Sequence, residues 1–338
     1  MAKYSFSLFI LICTQVTFSQ YSQLQLGDTT KPEYPYILPI LGEAAYEKGF
    51  NIPKPVGLML NYFWANQDII IPEIEVGFSD GILPDIPLTE ITEIIEFEEI
   101  NTTALSINIR PDVWIFPFLN VYGIFGKSFA TTSVKLSYPI EMSTVAELEG
   151  TSVGMGTTGA FGFGKYFVVL DGNWVWTNMS NFKDPVQSSV FSQRIGRAFQ
   201  VGKNPESNIA FWAGGMRIRM GNITQGTITL NEVLPPETWD RRDDIVLNYW
   251  EWYDGLGFTE IAKKQIADKI LTPIVNALDD SNGEGTIEYK LLKEPKREWN
   301  MILGGQYQLN KSWQFRFEGG IIGNRKSLLL STNYRFGF

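Results

Sequence analysis

The final stretch of the chain, KSLLLSTNYRFGF (Lys326–Phe338), alternates between apolar and polar residues up to its last position. One face of this segment carries Leu328, Leu330, Thr332, Tyr334, Phe336 and Phe338. The opposite face carries Leu329, Ser331, Asn333, Arg335 and Gly337. A period of two residues predicts a β-strand, and its length suits a tilted strand that crosses a lipid bilayer. The apolar face therefore meets either a protein core or lipid.

The composition limits the classes of protein to which the chain can belong. Its 338 residues suffice for two soluble domains or for one large β-barrel. Aromatic residues make up 14% of the chain and charged residues only 19%. The body of the sequence has no run of about 18 apolar residues, which excludes a helical membrane protein.

The beginning of the chain, MAKYSFSLFILICTQVTFS (1–19), is typical of a secretory signal peptide. Lys3 provides the positive start, residues 6–13 are mostly apolar, and small residues precede the expected cleavage site before Gln20. A buried N-terminal strand is the alternative interpretation of this segment. Cleavage removes Lys3 and the only cysteine.

The mature chain then has 27 basic and 37 acidic residues, a net charge of −10, and no histidine. Thiolate, disulfide and imidazole chemistry are therefore excluded. The negative charge argues against nucleic acid as a partner.

Ten segments after the N-terminal region have the period-two pattern of β-strands. They are 56–65, 103–114, 119–134, 151–163, 166–178, 190–201, 207–220, 297–309, 312–322 and 326–338. Within 312–322, for example, Gln314, Arg316 and Glu318 alternate with apolar residues. Residues 20–55 are rich in proline and polar residues, and we interpret them as an extended periplasmic leader.

The connections between the segments alternate in length along the chain. Short turns such as 164–165 alternate with the long segments 66–102, 135–150 and 221–296, with one short exception at 323–325. This sorting predicts an all-β fold, a closed antiparallel up-and-down transmembrane β-barrel of about 10 strands (10–12) that spans 56–338. Tight turns and both termini lie at its periplasmic end, and long loops lie at its extracellular end.

The polar faces of the strands carry charges of both signs, which suits a hydrated barrel interior. The residues predicted to line the lumen are Arg110, Asp112, Asp171, Arg217, Arg219, Arg316, Glu318 and Arg335. Aromatic residues lie near the strand ends, where a bilayer has its interfaces: Trp64, Tyr166, Trp176, Trp299, Tyr307, Trp313, Tyr334, Phe336 and Phe338. A soluble β-sandwich built from the same strands is the alternative fold.

Arg197 departs from this pattern, because strict alternation points it toward lipid. An arginine at the bilayer midplane costs about 2–4 kcal/mol. Arg197 lies near the periplasmic end of its strand, so two explanations stay open. Either its side chain reaches the interface, or a β-bulge resets the alternation.

The sequence resembles Gram-negative outer-membrane β-barrel proteins, especially those of the Bacteroidota. The resemblance rests on a signal peptide that ends in FSQ, an alternating body and a terminal aromatic strand, and it covers roughly residues 1–20 and 56–338. It implies a location in the bacterial outer membrane and contact with outer-membrane lipid. It also implies that the barrel-assembly machinery recognises Tyr334, Phe336 and Phe338.

The sequence marks no catalytic, cofactor or metal site. Enzymes of the outer membrane generally rely on a histidine base, so we predict that the protein is not an enzyme and needs no cofactor. The long segment 221–296 contains a predicted helix near 259–278 and the aromatic residues Trp250, Trp252 and Tyr253. These aromatics could stack on sugar rings or pack the loop onto the barrel rim. The helix could cover the mouth, plug the lumen, bind a partner or pack on its own strands.

Two functions follow from the predicted barrel. The first is a narrow channel or transporter for small solutes, gated by 221–296 and favoured by the charged lumen. The second is a non-conducting barrel that presents extracellular loops for ligand binding or complex assembly. Side chains fill the interior of a barrel of about 8 strands, whereas 16–18 strands leave an aqueous channel. A count of ten lies close to the filled limit.

Overall fold

The computed structural model describes residues 34–337 except 51, 82–83, 140, 181, 183, 205, 222, 235 and 281–282. The predicted signal peptide, the first part of the leader and Phe338 lie outside the described residues. Within the described ranges, no helix is both long enough and apolar enough to cross a membrane.

Ten strands form a closed antiparallel barrel, and three further strands lie outside it. The strands are β1 (Val56–Ser79), β2 (Ile86–Glu90), β3 (Glu96–Phe116), β4 (Leu119–Tyr138), β5 (Met142–Phe163), β6 (Tyr166–Met179), β7 (Val186–Gln200), β8 (Asn208–Met220), β9 (Ile223–Thr229), β10 (Thr286–Pro295), β11 (Trp299–Gln308), β12 (Trp313–Ile322) and β13 (Arg325–Phe336). The order around the barrel is β1-β3-β4-β5-β6-β7-β8-β11-β12-β13, and β13 pairs again with β1. The prediction of an up-and-down barrel is confirmed.

The register of the closing pair defines the two ends of the barrel. Val56 lies opposite Phe336 at what we call the lower end, and Gln67 lies opposite Arg325 toward the upper end. The two faces of β13 differ as its alternation predicts: Arg335 is buried, whereas Leu330 and Tyr334 are 45% and 43% exposed. A soluble sandwich is therefore the wrong fold, because the strands close on themselves with the polar face inward.

The outer face of the barrel is apolar and exposed. Large side chains on this face include Leu58, Leu60, Ile107, Ile109, Phe125, Met155, Leu170, Phe211, Leu303 and Phe317. Exposed aromatic rings lie at the lower end (Tyr166, Tyr307, Trp313, Tyr334) and at the upper end (Trp176, Trp299). An apolar belt between two aromatic girdles is the outer surface that a bilayer requires.

The described part of the leader is fixed against the lower end. It contains a short helix, α1 (Gly42–Glu47), within the segment predicted to be extended. The Ile40 amide donates to the carbonyl oxygen of Ile115 (2.8 Å), and Lys54 Nζ donates to Ser312 Oγ (2.7 Å). The leader is thus attached to β3 and to the turn before β12.

Several strands extend beyond their predicted limits at the upper end. Residues 135–150, predicted to be a long loop, instead continue β4 and β5, whose pairing runs up to Leu136 and Met142. Segment 133–137 still alternates, with Val134 and Leu136 on one face and Ser133, Lys135 and Ser137 on the other. The period-two pattern therefore continues past the predicted end of the strand at 134, and this signal was not used.

The upper half of β1 leaves the barrel wall and joins a separate four-stranded sheet. From Ile69 to Ser79, β1 pairs with β10, which pairs in turn with β9. The short strand β2 pairs with β1 between Glu75 and Phe78. This sheet combines residues of the two long segments that were predicted to be separate loops.

Helices pack on this sheet and complete a domain above the barrel, which we call the upper cap (residues 69–95 and 223–295). The helices are α2 (Leu230–Val233), α3 (Pro236–Asp240), α4 (Arg242–Gly255), α5 (Ile261–Ile266) and α6 (Thr272–Asp279), with a π-helical turn, Ala267–Leu271, joining the last two. The cap has its own apolar core, which includes Val76, Phe78, Ile91, Ile94, Leu230, Ile245, Ile270 and Leu278. The predicted helix therefore packs on its own strands.

Candidate functional site

A network of buried charges crosses the middle of the lumen, centred on the Glu318 carboxylate. Arg194 donates two hydrogen bonds to it, from Nε to Oε2 (2.6 Å) and from Nη2 to Oε1 (3.0 Å). Trp212 Nε1 (2.8 Å) and Arg316 Nη2 (3.2 Å) donate to the same Oε2 atom. Arg194 lies on β7 and Glu318 on β12, with β8 and β11 between them. This bidentate pair therefore ties two separate parts of the barrel wall together.

A second carboxylate, Asp171 on β6, is held mainly by neutral donors. Its Oδ2 accepts from Thr158 Oγ1 (2.7 Å) and Tyr122 Oη (3.1 Å), and its Oδ1 accepts from Asn173 Nδ2 (2.8 Å). These donors come from β4, β5 and β6, so the carboxylate joins three adjacent strands. Hydrogen bonds of this kind stabilise the ionised form of a buried carboxylate.

A third carboxylate, Asp112, closes the network near the lower end. It forms an ion pair with Arg335 (2.9 Å), and both side chains are buried. Asn120 Nδ2 donates to the same Asp112 Oδ1 atom (2.7 Å). Arg335 Nε also donates to the carbonyl oxygen of Lys54 (2.9 Å), which fixes the end of the leader to the barrel interior.

Asp112 and Asp171 line a cavity of about 150 Å³ in the lower half of the lumen, and Glu318 binds three residues of its lining, Arg194, Trp212 and Arg316. The charged residues that line it are Arg110, Asp112, Asp171, Arg194, Arg316 and Arg335. Its apolar wall includes Phe161, Phe167, Val169 and Trp212, and Pro53 of the leader completes the lining. The cavity therefore combines cationic groups with an apolar surface.

Arg110 differs from the other arginines of the cavity. Its Nε donates to the neutral side-chain oxygen of Asn108 (3.3 Å), and its guanidinium lies 5.3 Å from the centre of the Tyr122 ring. Among the described residues, no carboxylate lies within ion-pair distance of it. Its terminal amino groups are therefore available to an acceptor in the cavity.

Above the cavity, the inner face of the barrel is closely packed. Asn61 on β1, Ser192 on β7 and Ile302 on β11 are 1%, 1% and 0% exposed. These residues come from well-separated strands, so the packing is not confined to one side of the lumen. Side-chain hydrogen bonds connect the strands here, for example from Ser331 Oγ to Asn61 Oδ1 (2.6 Å).

Two contacts span the interior near the upper end. Arg325 of β13 donates from Nη2 to the carbonyl oxygen of Met216 on β8 (3.1 Å). Gln67 of β1 reaches Met220 of β8, with 4.0 Å between Nε2 and Sδ. Because β1 and β8 lie on different sides of the barrel, these side chains occupy the space that an open pore needs.

The structure brings together Arg110, Asp112, Asp171, Arg316, Glu318 and Arg335 on the inner face, as the alternation predicted. It places Arg217 and Arg219 on the outer face, so their assignment to the lumen is wrong. Arg217 lies opposite Phe191 and Trp299, whose rings are exposed on the outer surface.

This error arose because charged residues on the strands were assumed to point into the lumen. At the top of β8 the inward positions are occupied by Met216 and Ile218, and the outward arginines bind Glu298 instead. The Glu298 carboxylate accepts from Arg217 Nε (2.6 Å) and Arg219 Nε (3.0 Å). Both hydrogen bonds hold the pKa of Glu298 below its usual range, and the bond from Arg217 has the larger effect.

Sequence reasoning missed two arginines of the interior, Arg194 and Arg325. Arg194 has the same parity as Ser192 on β7, so the alternation that pointed Arg197 outward also pointed Arg194 inward. That signal was present and was not used. Arg325 was assigned to a turn, although it is the first residue of β13 and is almost fully buried.

Arg197 does lie on the outer face, at the lower end of the barrel. Its guanidinium is 5.6 Å from the centre of the Tyr166 ring and 5.0 Å from that of Phe199. The pairing of β7 with β6 and β8 has no register shift, so no bulge changes the direction of this side chain. Its place beside interfacial aromatics agrees with the explanation that the side chain reaches the interface.

The aromatic residues of the cap pack within the cap and against the barrel rim. Trp252 Nε1 donates to the Tyr138 hydroxyl at the top of β4. Trp250 and Tyr253 both contact the buried Tyr249, with ring centres 5.3 and 6.1 Å apart from it. The half-buried rings thus fit the interpretation that they attach the cap to the rim.

Tyr253 provides a spectroscopic test of the cap structure. Its hydroxyl donates to the Asp268 carboxylate, and this hydrogen bond, with some desolvation, raises its pKa to about 12. We therefore expect Tyr253 to ionise well after the ordinary tyrosines as pH rises, and Asp268→Asn to bring its pKa back toward 10. Ultraviolet difference titration of the wild type against Tyr253→Phe measures this. A Tyr253 that ionises with the bulk tyrosines in the folded protein contradicts the contact.

No family model matches the sequence, and no curated protein matches it. Solved structures with a similar fold include the β-domain of the Bordetella autotransporter BrkA (8% identity, 84% of this chain and 100% of that chain covered, TM-score 0.37). They also include the translocator domain of the autotransporter NalP from Neisseria meningitidis (8%, 87% and 92%, 0.31) and a FadL homologue from Pseudomonas aeruginosa (6%, 85% and 91%, 0.25). At such low identities and TM-scores the likeness carries no functional information.

Proposed function

We propose that the protein is a non-conducting outer-membrane barrel that holds the upper cap at the cell surface for binding or complex assembly. In this proposal the lower end faces the periplasm and the apolar belt contacts outer-membrane lipid. The supporting observation is the closely packed lumen above the cavity. The proposal assigns no catalytic role to the chain.

The packing of the lumen supports a barrel that does not conduct. Hydrated pores need inner-face side chains that water can reach along the whole length of the barrel. Here the inner residues of the central section are almost inaccessible, and Arg325 and Gln67 reach across the interior to β8. Ten strands also lie close to the size at which side chains fill a barrel.

The cap supports the second part of the proposal. It contacts the top of β4 through Trp252 and Tyr138, and it contacts the β6–β7 connection through a bridge between Gly226 and Phe182. It thus contacts the rim of the barrel at β4 and at the β6–β7 connection. Its own apolar core indicates a folded domain with a defined surface rather than a set of flexible loops.

We also propose that Tyr334 and Phe336 act in barrel assembly, together with the terminal Phe338. Both rings lie on the outer face of the closing strand. They contact each other, and Trp313 contacts Tyr334 with ring centres 4.9 Å apart. An aromatic edge of this kind is accessible to the assembly machinery before β13 pairs with β1.

The test is conductance of the purified protein in a planar lipid bilayer. We expect no stable single-channel steps from folded protein, because buried side chains fill the packed section of the lumen. Heat-modifiable migration in gel electrophoresis confirms that the reconstituted barrel is folded. Steady, voltage-independent conductance from such protein contradicts the proposal.

The second candidate is a narrow channel gated by the cap, and the cavity in the lower lumen favours it. A variant that lacks residues 225–290 separates the two functions. Conductance that appears only in this variant supports gating. A partner that binds the full chain and is lost with the deletion, without conductance in either form, supports a display role.

A further inference from the structure

We infer that the cavity in the lower lumen binds a small organic monoanion, a carboxylate with a short apolar body. This inference concerns the barrel interior and does not depend on the function of the cap. It rests on the charge balance around the cavity, on the free donors of Arg110, and on the apolar wall that faces them.

The charge balance leaves one positive charge without a partner. The cationic groups that line the cavity are Arg110, Arg194, Arg316 and Arg335. The carboxylates that line it or bind these arginines are Asp112, Asp171 and Glu318. Four guanidinium groups against three carboxylates give an excess of one positive charge. Burying an uncompensated charge is costly, so a monoanion in the cavity is stabilising.

Among the described residues, Arg110 is the arginine of the cavity that forms no ion pair. Arg335 is paired with Asp112, and Arg194 shares Glu318 with Arg316. Arg110 is held only by an amide oxygen and a ring face. A guanidinium with free terminal amino groups presents the parallel donors that match a carboxylate.

Further donors lie close to the same space. Arg194 Nη1 and Arg316 Nε are buried and have no acceptor among the described residues. A buried donor without a partner costs about 1–3 kcal/mol. Small rotations of these side chains toward the oxygen atoms of a bound anion remove that cost.

The apolar wall determines the size and shape of the apolar part of the ligand. Phe161, Phe167 and Val169 line the cavity together with Ala160 and Ala210. The volume of about 150 Å³ equals that of an engineered apolar cavity that binds benzene. A single aromatic ring or a short branched chain with one carboxylate therefore fits, whereas a long fatty acid does not. Entry is from the lower end, past Pro53, because the lumen above is packed.

The experiment uses benzoate as the probe, with the detergent-purified full chain and isothermal titration calorimetry. We expect one benzoate per protein and at least tenfold weaker binding of benzamide, which has the same shape and no charge. Arg110→Gln is expected to weaken benzoate binding at least tenfold. Arg217→Gln removes an arginine of the outer face and is the matched control, with unchanged binding.

Several results overturn the inference. Equal binding of benzoate and benzamide excludes recognition of the charge, and equal binding of chloride or inorganic phosphate excludes recognition of the apolar body. Failure of folded wild-type protein to bind benzoate at millimolar concentration excludes the site. Unchanged binding by Arg110→Gln excludes the proposed contact. None of these outcomes affects the conductance test, so the two proposals fail independently.

Discussion

Replacing Glu318 by glutamine is expected to lower the free energy of unfolding by about 3–5 kcal/mol, the range found when one partner of a buried ion pair is removed. Glutamine keeps the shape of the side chain and can still accept a hydrogen bond from Trp212. It does not balance the charges of Arg194 and Arg316, which stay buried beside it. Denaturant unfolding of the reconstituted barrel, followed by tryptophan fluorescence, measures the loss.

Glu298→Gln is the matched control for this prediction. Glu298 also accepts hydrogen bonds from two arginines, Arg217 and Arg219, but the pair is exposed: the side chains of Arg219 and Glu298 are 59% and 37% exposed. Exposed ion pairs contribute about 0–1 kcal/mol. If Glu318→Gln is no more destabilising than Glu298→Gln, then water reaches Glu318 and the lumen is not packed.

The contrast between these two glutamates also shows how far the sequence determines the site. Alternation alone predicted the inward direction of Arg316 and Glu318, because every second residue of a strand shares a face. It did not predict which arginine binds Glu318. Arg194 is 124 positions away in the chain, and only the closure of the barrel brings the two side chains together.

Arg217 and Arg219 show the limit of the same argument. A charge on a strand marks the lumen only within the height of the bilayer, since above it both faces are wet. The sequence does not reveal where a strand leaves the membrane, particularly when the strands extend as far as β4 and β5 do. Near strand ends, the direction of a side chain is therefore better predicted from that of its neighbours, here the inward Met216, than from its own polarity.

The cap was not predictable as a domain for a related reason. Its core joins Ile94 of one long segment with Ile270 of the other, and both are fully buried. Each segment alone has a mixed pattern that is typical of a loop. The apolar residues find partners only after β1 and β10 pair, which is a contact between distant parts of the chain. The helix near 259–278 was recognised because its signal is local.

This separation of the two cores leads to a prediction about independent stability. The barrel is held by its closed ring of strands and its charged network, whereas the cap depends on one apolar cluster. Replacing Ile270 by aspartate puts an unpaired charge into that cluster. We expect the cap to lose about 4 kcal/mol or more and to unfold, because a buried charge without a partner is among the most destabilising changes known.

The measurement is limited trypsin digestion in detergent, which cuts an unfolded cap at Lys263, Lys264 and Lys269. Ile270→Asp should be cleaved there while the barrel keeps its heat-modifiable migration. Ile261→Asp is the control, because Ile261 lies in the same helical run but is 54% exposed, whereas Ile270 is 0% exposed. Equal resistance of both variants means that the cluster does not hold the cap. Loss of the folded barrel in Ile270→Asp means that cap and barrel fold as one unit, because the unfolding of an independent cap leaves the closed ring of strands intact.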